Sequence, residues 1–313
     1  MLSVEHLRIT FRDLPILRDL SFSIDRGEAL GLVGESGSGK SMAALAIMGL
    51  LPKGMKASGR VMFEGENLLA LDDARLCTYR GRHIGMIFQE PMTALNPVHR
   101  IGQQVAETLV LHGLMNQSEA LREAERLLER VGIDEPHRRM HSYPHELSGG
   151  QRQRVMIAMA MACKPGLLIA DEPTSALDVT VQSEILDLLQ DLRLQEGMGT
   201  LFISHDLAVI AKVARHTLVL YGGAAMETGD TLALLREPRH PYTQGLLAAL
   251  PHGRTRGTRL QPIPGFVPPA HQLAPGCPFY GRCPRGDSEC RMRPPPLTLA
   301  HTHAWCFHPG RRA

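Results

Sequence analysis

Eight consecutive residues set the chemistry: Gly34-Glu35-Ser36-Gly37-Ser38-Gly39-Lys40-Ser41. Three glycines at this spacing let main-chain N–H groups turn inward around an anion, and a helix beginning at the end of the segment adds its favourable terminal dipole. A lysine followed by a hydroxyl residue completes the phosphate-binding loop pattern, in which Lys40 reaches the β- and γ-phosphates of a nucleotide triphosphate and Ser41 ligates Mg²⁺. A Gly/Ser-rich turn could match by chance, but this one directly follows an apolar run (Ala29–Val33) and directly precedes a helical stretch. A second element, Leu167-Leu168-Ile169-Ala170-Asp171-Glu172, is an apolar strand ending in two carboxylates. Ligands of α/β folds sit at that edge of a sheet, so Asp171 suits Mg²⁺ and Glu172 suits polarisation of an attacking water. Alone, such a pair is more often a helix cap or a solvated turn. Beside the loop it marks a nucleotide hydrolase.

The elements that must position these groups follow from periodicity. Residues 1–30 alternate apolar and polar positions (Leu2, Val4, Leu7, Ile9, then Leu20, Phe22, Ile24), which predicts half-buried antiparallel strands. Ala29–Val33 predicts a buried strand and Ser41–Leu51 a helix. Residues about 101–135 carry helical spacing (Ile101, Val105, Leu109, then Leu121, Ala124, Leu127, Leu128, Val131) and read as an inserted helical subdomain, approximately 90–162. Strands at Gly166–Ala170 and Thr200–Ile203 flank a helix at Val181–Leu194, the alternation that builds a largely parallel, helix-covered sheet. The expected class is α/β. Beyond residue 237 periodicity fades, proline becomes frequent between Pro262 and Pro275, and four of the six cysteines follow, so residues 238–313 read as a small loop-rich extension of a domain at 1–237.

Composition excludes several alternatives. The net charge is +2 and aromatic residues make up 4%, which supports neither a basic groove nor a base-stacking surface, so nucleic acid is not an expected partner. The N-terminus MLSVEHLRITF lacks the apolar run of a signal peptide, and the longest apolar stretches, near Met42–Leu51 and Val155–Cys163, fall well short of the roughly 20 residues of a membrane span. Any membrane role must come through partner chains. Cysteines in such a chain suggest reduced thiols or metal ligation rather than disulfides. Cys77 and Cys163 stand alone and read as ordinary buried residues.

Leu147-Ser148-Gly149-Gly150-Gln151, followed by Arg152-Gln153-Arg154, lies 19 residues before the Asp171-Glu172 pair. Ser148 could simply cap the helix that follows. At this distance between a phosphate loop and an acidic strand end, the segment also resembles the signature sequence of ABC ATPases, and the resemblance spans about residues 1–235. It implies a P-loop NTPase (RecA-like) core with an antiparallel β-subdomain and a helical insertion, using ATP and Mg²⁺. It further implies that Gln89 is the glutamine that senses Mg²⁺ and water and faces the permease. Ser175-Ala176-Leu177-Asp178 would exchange contacts across an ATPase dimer, His205 would contact the γ-phosphate, and Phe11 would stack on adenine, although a core role suits Phe11 nearly as well. In this family each site pairs the 34–41 loop of one subunit with Ser148, Gly149, Gly150 and Gln151 of another.

Three further segments resemble the oligopeptide/dipeptide/nickel importer branch: Phe88–Pro97, His240-Pro241-Tyr242-Thr243-Gln244-Gly245-Leu246-Leu247, and the cysteine-bearing tail. By analogy the chain joins a second related ATPase subunit, two transmembrane permeases and an extracytoplasmic solute-binding protein, at the cytoplasmic face of the cell (inner) membrane. Peptides are the leading solute and nickel or a metal chelate the nearest variant. A soluble ABC ATPase of translation or DNA repair is a second class, disfavoured because neither a paired cassette nor a long coiled insertion is visible. A non-enzymatic metal module is a third, and the retained Glu172 and His205 argue against it. Cys277, Cys283, Cys290 and Cys306 are separated by five, six and fifteen residues. No closely paired zinc knuckle occurs among them, so an iron–sulfur cluster, [4Fe-4S], is expected ahead of zinc, with free thiols the remaining alternative.

Overall fold

The structure is a computed structural model that describes residues 1–90, 94–175, 177–250 and 262–310. Its backbone contacts divide the chain into two compact units, one of Met1–Ile24, Ala29–Leu69 and Ile203–Ala313, the other of Asp25–Glu28 and Ala70–Phe202.

In the first unit the alternating N-terminal pattern becomes β1 (Leu2–Phe11) and β2 (Leu14–Ile24), which pair antiparallel, with β4 (Met55–Phe63) on the other side of β1 and the short β5 (Glu66–Asn67) paired to β4. Leu2, Val4, Leu7 and Ile9 of β1 are buried, together with Leu17, Leu20 and Ile24 of β2. β3 (Ala29–Val33) is buried along its whole length, as its unbroken apolar run requires of a parallel strand covered on both faces. It lies parallel to β9 (His216–Tyr221), and β9 turns back into β10 (Ala224–Asp230). The helix after the phosphate loop spans Lys40–Ile47, shorter than periodicity predicted. Gly49 adopts φ +63 and the Leu50 N–H bonds back to the Leu45 carbonyl at 2.8 Å, so a left-handed glycine ends the helix before Leu50.

The C-terminal region is more structured than its composition suggested. Helix Pro241–Ala249 is capped by His240, whose Nδ1 accepts from the Tyr242 N–H at 3.0 Å. Residues Leu297–Thr298 (β11) and Thr302–Trp305 (β12) pair antiparallel, and β12 also pairs antiparallel with β10. The fully buried Glu227 of β10 ties these pieces together: its carboxylate accepts from the Arg239 N–H (2.8 Å), the His240 N–H (2.9 Å) and the Thr302 hydroxyl (2.7 Å).

The second unit contains β6 (Ile84–Ile87) and β7 (Leu167–Asp171), paired parallel, and a helical group of Ile101–Leu111, Gln117–Arg130 and Gly149–Met161 packed on one another. Gln117–Arg130 opens with a reciprocal capping box between Asn116 and Glu119 and buries Ala120, Ala124, Leu127 and Leu128. Val179–Glu196 is a longer helix than the apolar spacing outlined, because Asp178 accepts from both the Thr180 and Val181 N–H groups and starts it earlier. Strand β8 (Gly199–Ser204) is buried throughout. No described helix is long and apolar enough to cross a membrane. One expectation fails: Cys77 is exposed and Cys163 is only half-buried. The Asp73–Tyr79 helix that carries Cys77 buries Leu76 alone, so Cys77 falls on its open side.

Candidate functional site

The 34–41 loop leaves buried β3 and closes on itself before the helix. Gly37 and Gly39 take φ +79 and +101, conformations that only glycine enters without strain, and Gly39 is the helix N-cap. The buried Lys40 ammonium points back into the loop, donating to the Gly34 carbonyl at 2.7 Å and the Glu35 carbonyl at 3.1 Å. Ser36 and Gly37 face solvent, and Ser41 is half-buried in the first helical turn. The result is a curled main chain around the Lys40 ammonium at a helix N-terminus, an anion receptor by construction. Its base is fixed from behind, where the Gly223 N–H donates to the Ser38 carbonyl at 3.0 Å.

In the same unit, His205 follows β8 and is exposed, while its neighbour Asp206 caps the next helix through the Ala208 N–H at 2.7 Å. Phe11 is half-buried at the end of β1, with the Arg12 guanidinium 5.2 Å from its ring centre. An aromatic face with a cation already stacked on it suits an aromatic base, and it suits a capped strand end equally well.

The second unit gathers the acidic residues. Asp171 is buried at the last position of β7, and Glu172 follows with φ +46, an uncommon conformation for a non-glycine residue and one that functional positions tolerate. The Gln89 amide donates to the Glu172 carboxylate at 3.2 Å, so two of the four residues expected to act on water and metal (Ser41, Gln89, Asp171 and Glu172) meet directly. Beyond Gln89, Pro91, Met92 and Thr93 lie outside the described residues. The far end of that segment is anchored by the buried Gln104, which accepts from the Asn96 N–H (2.9 Å) and donates to the Asn96 and His99 carbonyls (both 2.9 Å).

The Ser148–Gln151 segment opens the Gly149–Met161 helix with a capping box: Ser148 Oγ accepts from the Gln151 N–H, and the Gln151 side chain accepts from the Ser148 N–H. Ser148 and Gly149 are exposed. Ser175, Leu177 and Asp178 precede the next helix; Ala176 lies outside the described residues.

The four C-terminal cysteines are brought together. Cys277, Cys283, Cys290 and Cys306 line one small cavity of about 10 Å³ with His240, Arg285 and His308. Burial, reinforced by the neighbouring sulfurs, pushes the Cys277 thiol up to about 12 and the Cys306 thiol up to about 11. Such thiols stay protonated at neutral pH unless a bound cation takes them as thiolates. His240 is 1% exposed on this cavity, and its Nε2 has no hydrogen-bond partner among the described residues. With Nδ1 accepting from Tyr242, that nitrogen carries the proton and offers a buried donor to whatever the thiols hold. A smaller trio, Asp287, Cys290 and His308, also has donor atoms within 4.8 Å of one another. Asp287 is there spent on the Cys290 N–H (2.9 Å) and on His308 (2.7 Å).

Two residues absent from the predicted site touch the phosphate loop. The Tyr242 hydroxyl accepts from the Glu35 N–H at 2.8 Å, and the Arg282 guanidinium grips the Glu35 carboxylate with two nitrogens, at 2.7 and 3.1 Å. Tyr242 lay inside the His240–Leu247 segment, but nothing in its spacing pointed to a loop more than two hundred residues away.

Comparison with known proteins agrees with this geometry. Residues 17–175 match the ABC transporter family, and residues 226–290 match the oligopeptide/dipeptide transporter C-terminal region. The oligopeptide transport ATP-binding protein OppD of Salmonella typhimurium is 47% identical over 315 residues, covering 99% of this chain and 92% of its own length. Its namesake from Escherichia coli K12 is 47% identical, with 99% and 93% covered. Among solved structures, a dimeric ATP-binding cassette, MJ0796, bound to ADP and Pi superposes with a TM-score of 0.66 at 29% identity, covering 74% of this chain and 99% of that one. With a curled phosphate loop, an acidic strand end paired to a glutamine, and matches of this extent, the chain belongs to the ABC transporter family, among its ATP-hydrolysing ATP-binding subunits.

Proposed function

We propose that the chain energises import of di- or oligopeptides as the ATPase subunit of an ABC importer at the cytoplasmic face of the inner membrane. The observation that carries the solute class is the peptide-transporter C-terminal match at 226–290, joined to near full-length similarity to proteins named for oligopeptide transport. Nickel or a metal chelate is the neighbouring solute, since residues of this chain serve the nucleotide and the permease rather than the cargo. The partners are two permease subunits, a related second ATPase and an extracytoplasmic binding protein.

In this reading the 34–41 main chain and Lys40 cradle the β- and γ-phosphates, and Phe11 stacks on adenine. Ser41, Asp171 and Gln89 would hold Mg²⁺, which would supply charge neutralisation on the phosphates. Glu172 draws a proton from water, its orientation held by the Gln89 amide seen at 3.2 Å. His205 binds the γ-phosphate, and Ser148, Gly149, Gly150 and Gln151 complete the site of the opposing ATPase subunit. Closure of two subunits follows ATP, and reopening follows loss of the γ-phosphate. Glu172→Gln should bind ATP and lose at least about 100-fold in turnover, because the cradle remains while the base does not. Normal hydrolysis by that variant would refute these roles, and membrane pull-down that recovers ribosomes or DNA instead of permeases would refute the importer.

For the tail we propose a structural metal centre on Cys277, Cys283, Cys290 and Cys306. The lack of paired knuckles and the buried His240 donor, suited to a sulfur acceptor, support [4Fe-4S]. Zinc is the second reading, favoured by the small cavity between the thiols.

A further inference from the structure

Glu35 presents an electrostatic difficulty. It is the second residue of the phosphate loop, and its own carbonyl receives the Lys40 ammonium at 3.1 Å, so its carboxylate hangs from the element meant to attract a polyanion. A negative charge there opposes a triphosphate. The chain resolves this with Arg282, some 247 residues on, whose side chain is only 7% exposed. Two nitrogens grip the two carboxylate oxygens in the bidentate geometry that lysine cannot reproduce. Arg282 is fixed in turn by the Ile263 and Pro264 carbonyls (3.2 and 2.8 Å) and by the Tyr221 hydroxyl at 3.3 Å.

The main chain of Glu35 is held as well. Its N–H donates to the hydroxyl of Tyr242, a fully buried ring. Tyr242 stands edge-on to Tyr221, with ring centres 4.8 Å apart, and Phe279 packs against both, at 5.1 Å from Tyr221 and 5.2 Å from Tyr242. Side chain and backbone of one loop residue are thus both gripped by groups from beyond residue 237, on a rigid aromatic platform.

We propose that Arg282 and Tyr242 are positioning residues of the nucleotide site: Arg282 cancels the Glu35 charge and Tyr242 fixes the loop backbone, so the C-terminal region forms part of the ATP receptor in cis. This rests on the reading that residues 34–41 hold the triphosphate. It assigns the C-terminal region a role that does not depend on whether its thiols carry a metal.

The test is equilibrium binding of a non-hydrolysable ATP analogue with Mg²⁺ to the full chain, with melting curves to show that each variant folds. Arg282→Gln should raise Kd about tenfold, equivalent to about 1.4 kcal/mol. Adding Glu35→Gln to that variant should restore Kd to within about threefold of wild type, because the charge that needed cancelling is gone. No loss of packing would be repaired in this way. In steady state, Arg282→Gln should raise KM for ATP and leave kcat nearly unchanged. Arg282→Lys, which keeps charge without the fork, should fall between, and Tyr242→Phe, which keeps the ring without the acceptor, should also weaken binding. If Arg282→Gln does not fold, the Arg282→Lys and Tyr242→Phe results decide alone, and wild-type affinity in both overturns the proposal. So does wild-type affinity in Arg282→Gln, or equal weakening in the single and double variants. A wild-type chain that binds no analogue would instead overturn the reading of the 34–41 loop.

Discussion

At the scale of single residues, Glu227 shows how a charged side chain can sit in a core. It is 0% exposed, and three donors converge on its two oxygens. Two of those donors are main-chain groups at the start of helix Pro241–Ala249 and the third is a hydroxyl of β12, so one carboxylate fastens a helix start and a strand to β10. Glu227→Gln would set an amide N–H₂ against donors and should cost about 1–3 kcal/mol of stability. Glu227→Ala, which strips every acceptor, should cost more. Urea denaturation of both variants measures this; a stability loss below about 0.5 kcal/mol in Glu227→Ala would mean solvent replaces the carboxylate freely. Nothing in the sequence marked Glu227, since its partners lie 12 to 75 positions away and its neighbours read as an ordinary strand. The loop residues were legible for the opposite reason. Their chemistry is written in eight contiguous positions, and local glycine geometry is enough to curl the main chain around an anion. The four thiols fall between these cases: their number pointed to one centre, and only the fold brings all four to one cavity.

At the scale of elements, boundaries moved wherever a cap overrode periodicity. Asp178 extends its helix backwards and Gly49 truncates another, each by hydrogen bonds that apolar spacing cannot encode. The start of the Gly149–Met161 helix carries a stricter demand. A methyl group added at Gly150 would stand 2.8 Å from Val181 Cγ1 on the Val179–Glu196 helix, whereas at Gly149 the nearest atom would be Leu177 Cδ2 at 3.8 Å. Gly150→Ala should therefore force the two helix starts apart at a cost of about 1–3 kcal/mol, while Gly149→Ala leaves stability nearly unchanged. Thermal melting of the two variants side by side tests this, and equal melting temperatures would show that Val181 yields without strain. Gly150 thus answers to packing within the subunit as well as to any nucleotide the segment covers. That constraint was hidden from sequence, because Val181 enters only through the tertiary approach of the two helices.

At the scale of the molecule, periodicity predicts a cassette with a loose tail, and the packing shows why that picture is incomplete. β12 pairs with β10, and Arg18 of β2 donates to the Ala274 and Gly276 carbonyls at 2.8 and 3.2 Å, so residues beyond 237 are woven into the first unit. Proline-rich stretches and short strands lack periodicity of their own and take their order from these partners. A metal on the four thiols would staple the segment from Cys277 to Cys306, which has few core-forming side chains. Anaerobically purified protein should carry iron and a visible absorption band, and stripping the metal should expose this segment to protease well before the rest of the chain. Colourless, iron-free and zinc-free protein with the same protease resistance would eliminate the centre.

The grip of Tyr242 and Arg282 on Glu35 reaches across 207 and 247 positions of sequence. On a ribosome adding about 5–20 residues per second, the phosphate loop leaves the exit tunnel roughly 10–50 s before the groups that steady it. Full affinity for nucleotide is thereby deferred until synthesis has passed residue 282, and a nascent or prematurely terminated polypeptide carries the loop with its carboxylate bare. The fold makes the late residues a licence for the early ones, so unfinished chains are poor competitors for cellular ATP.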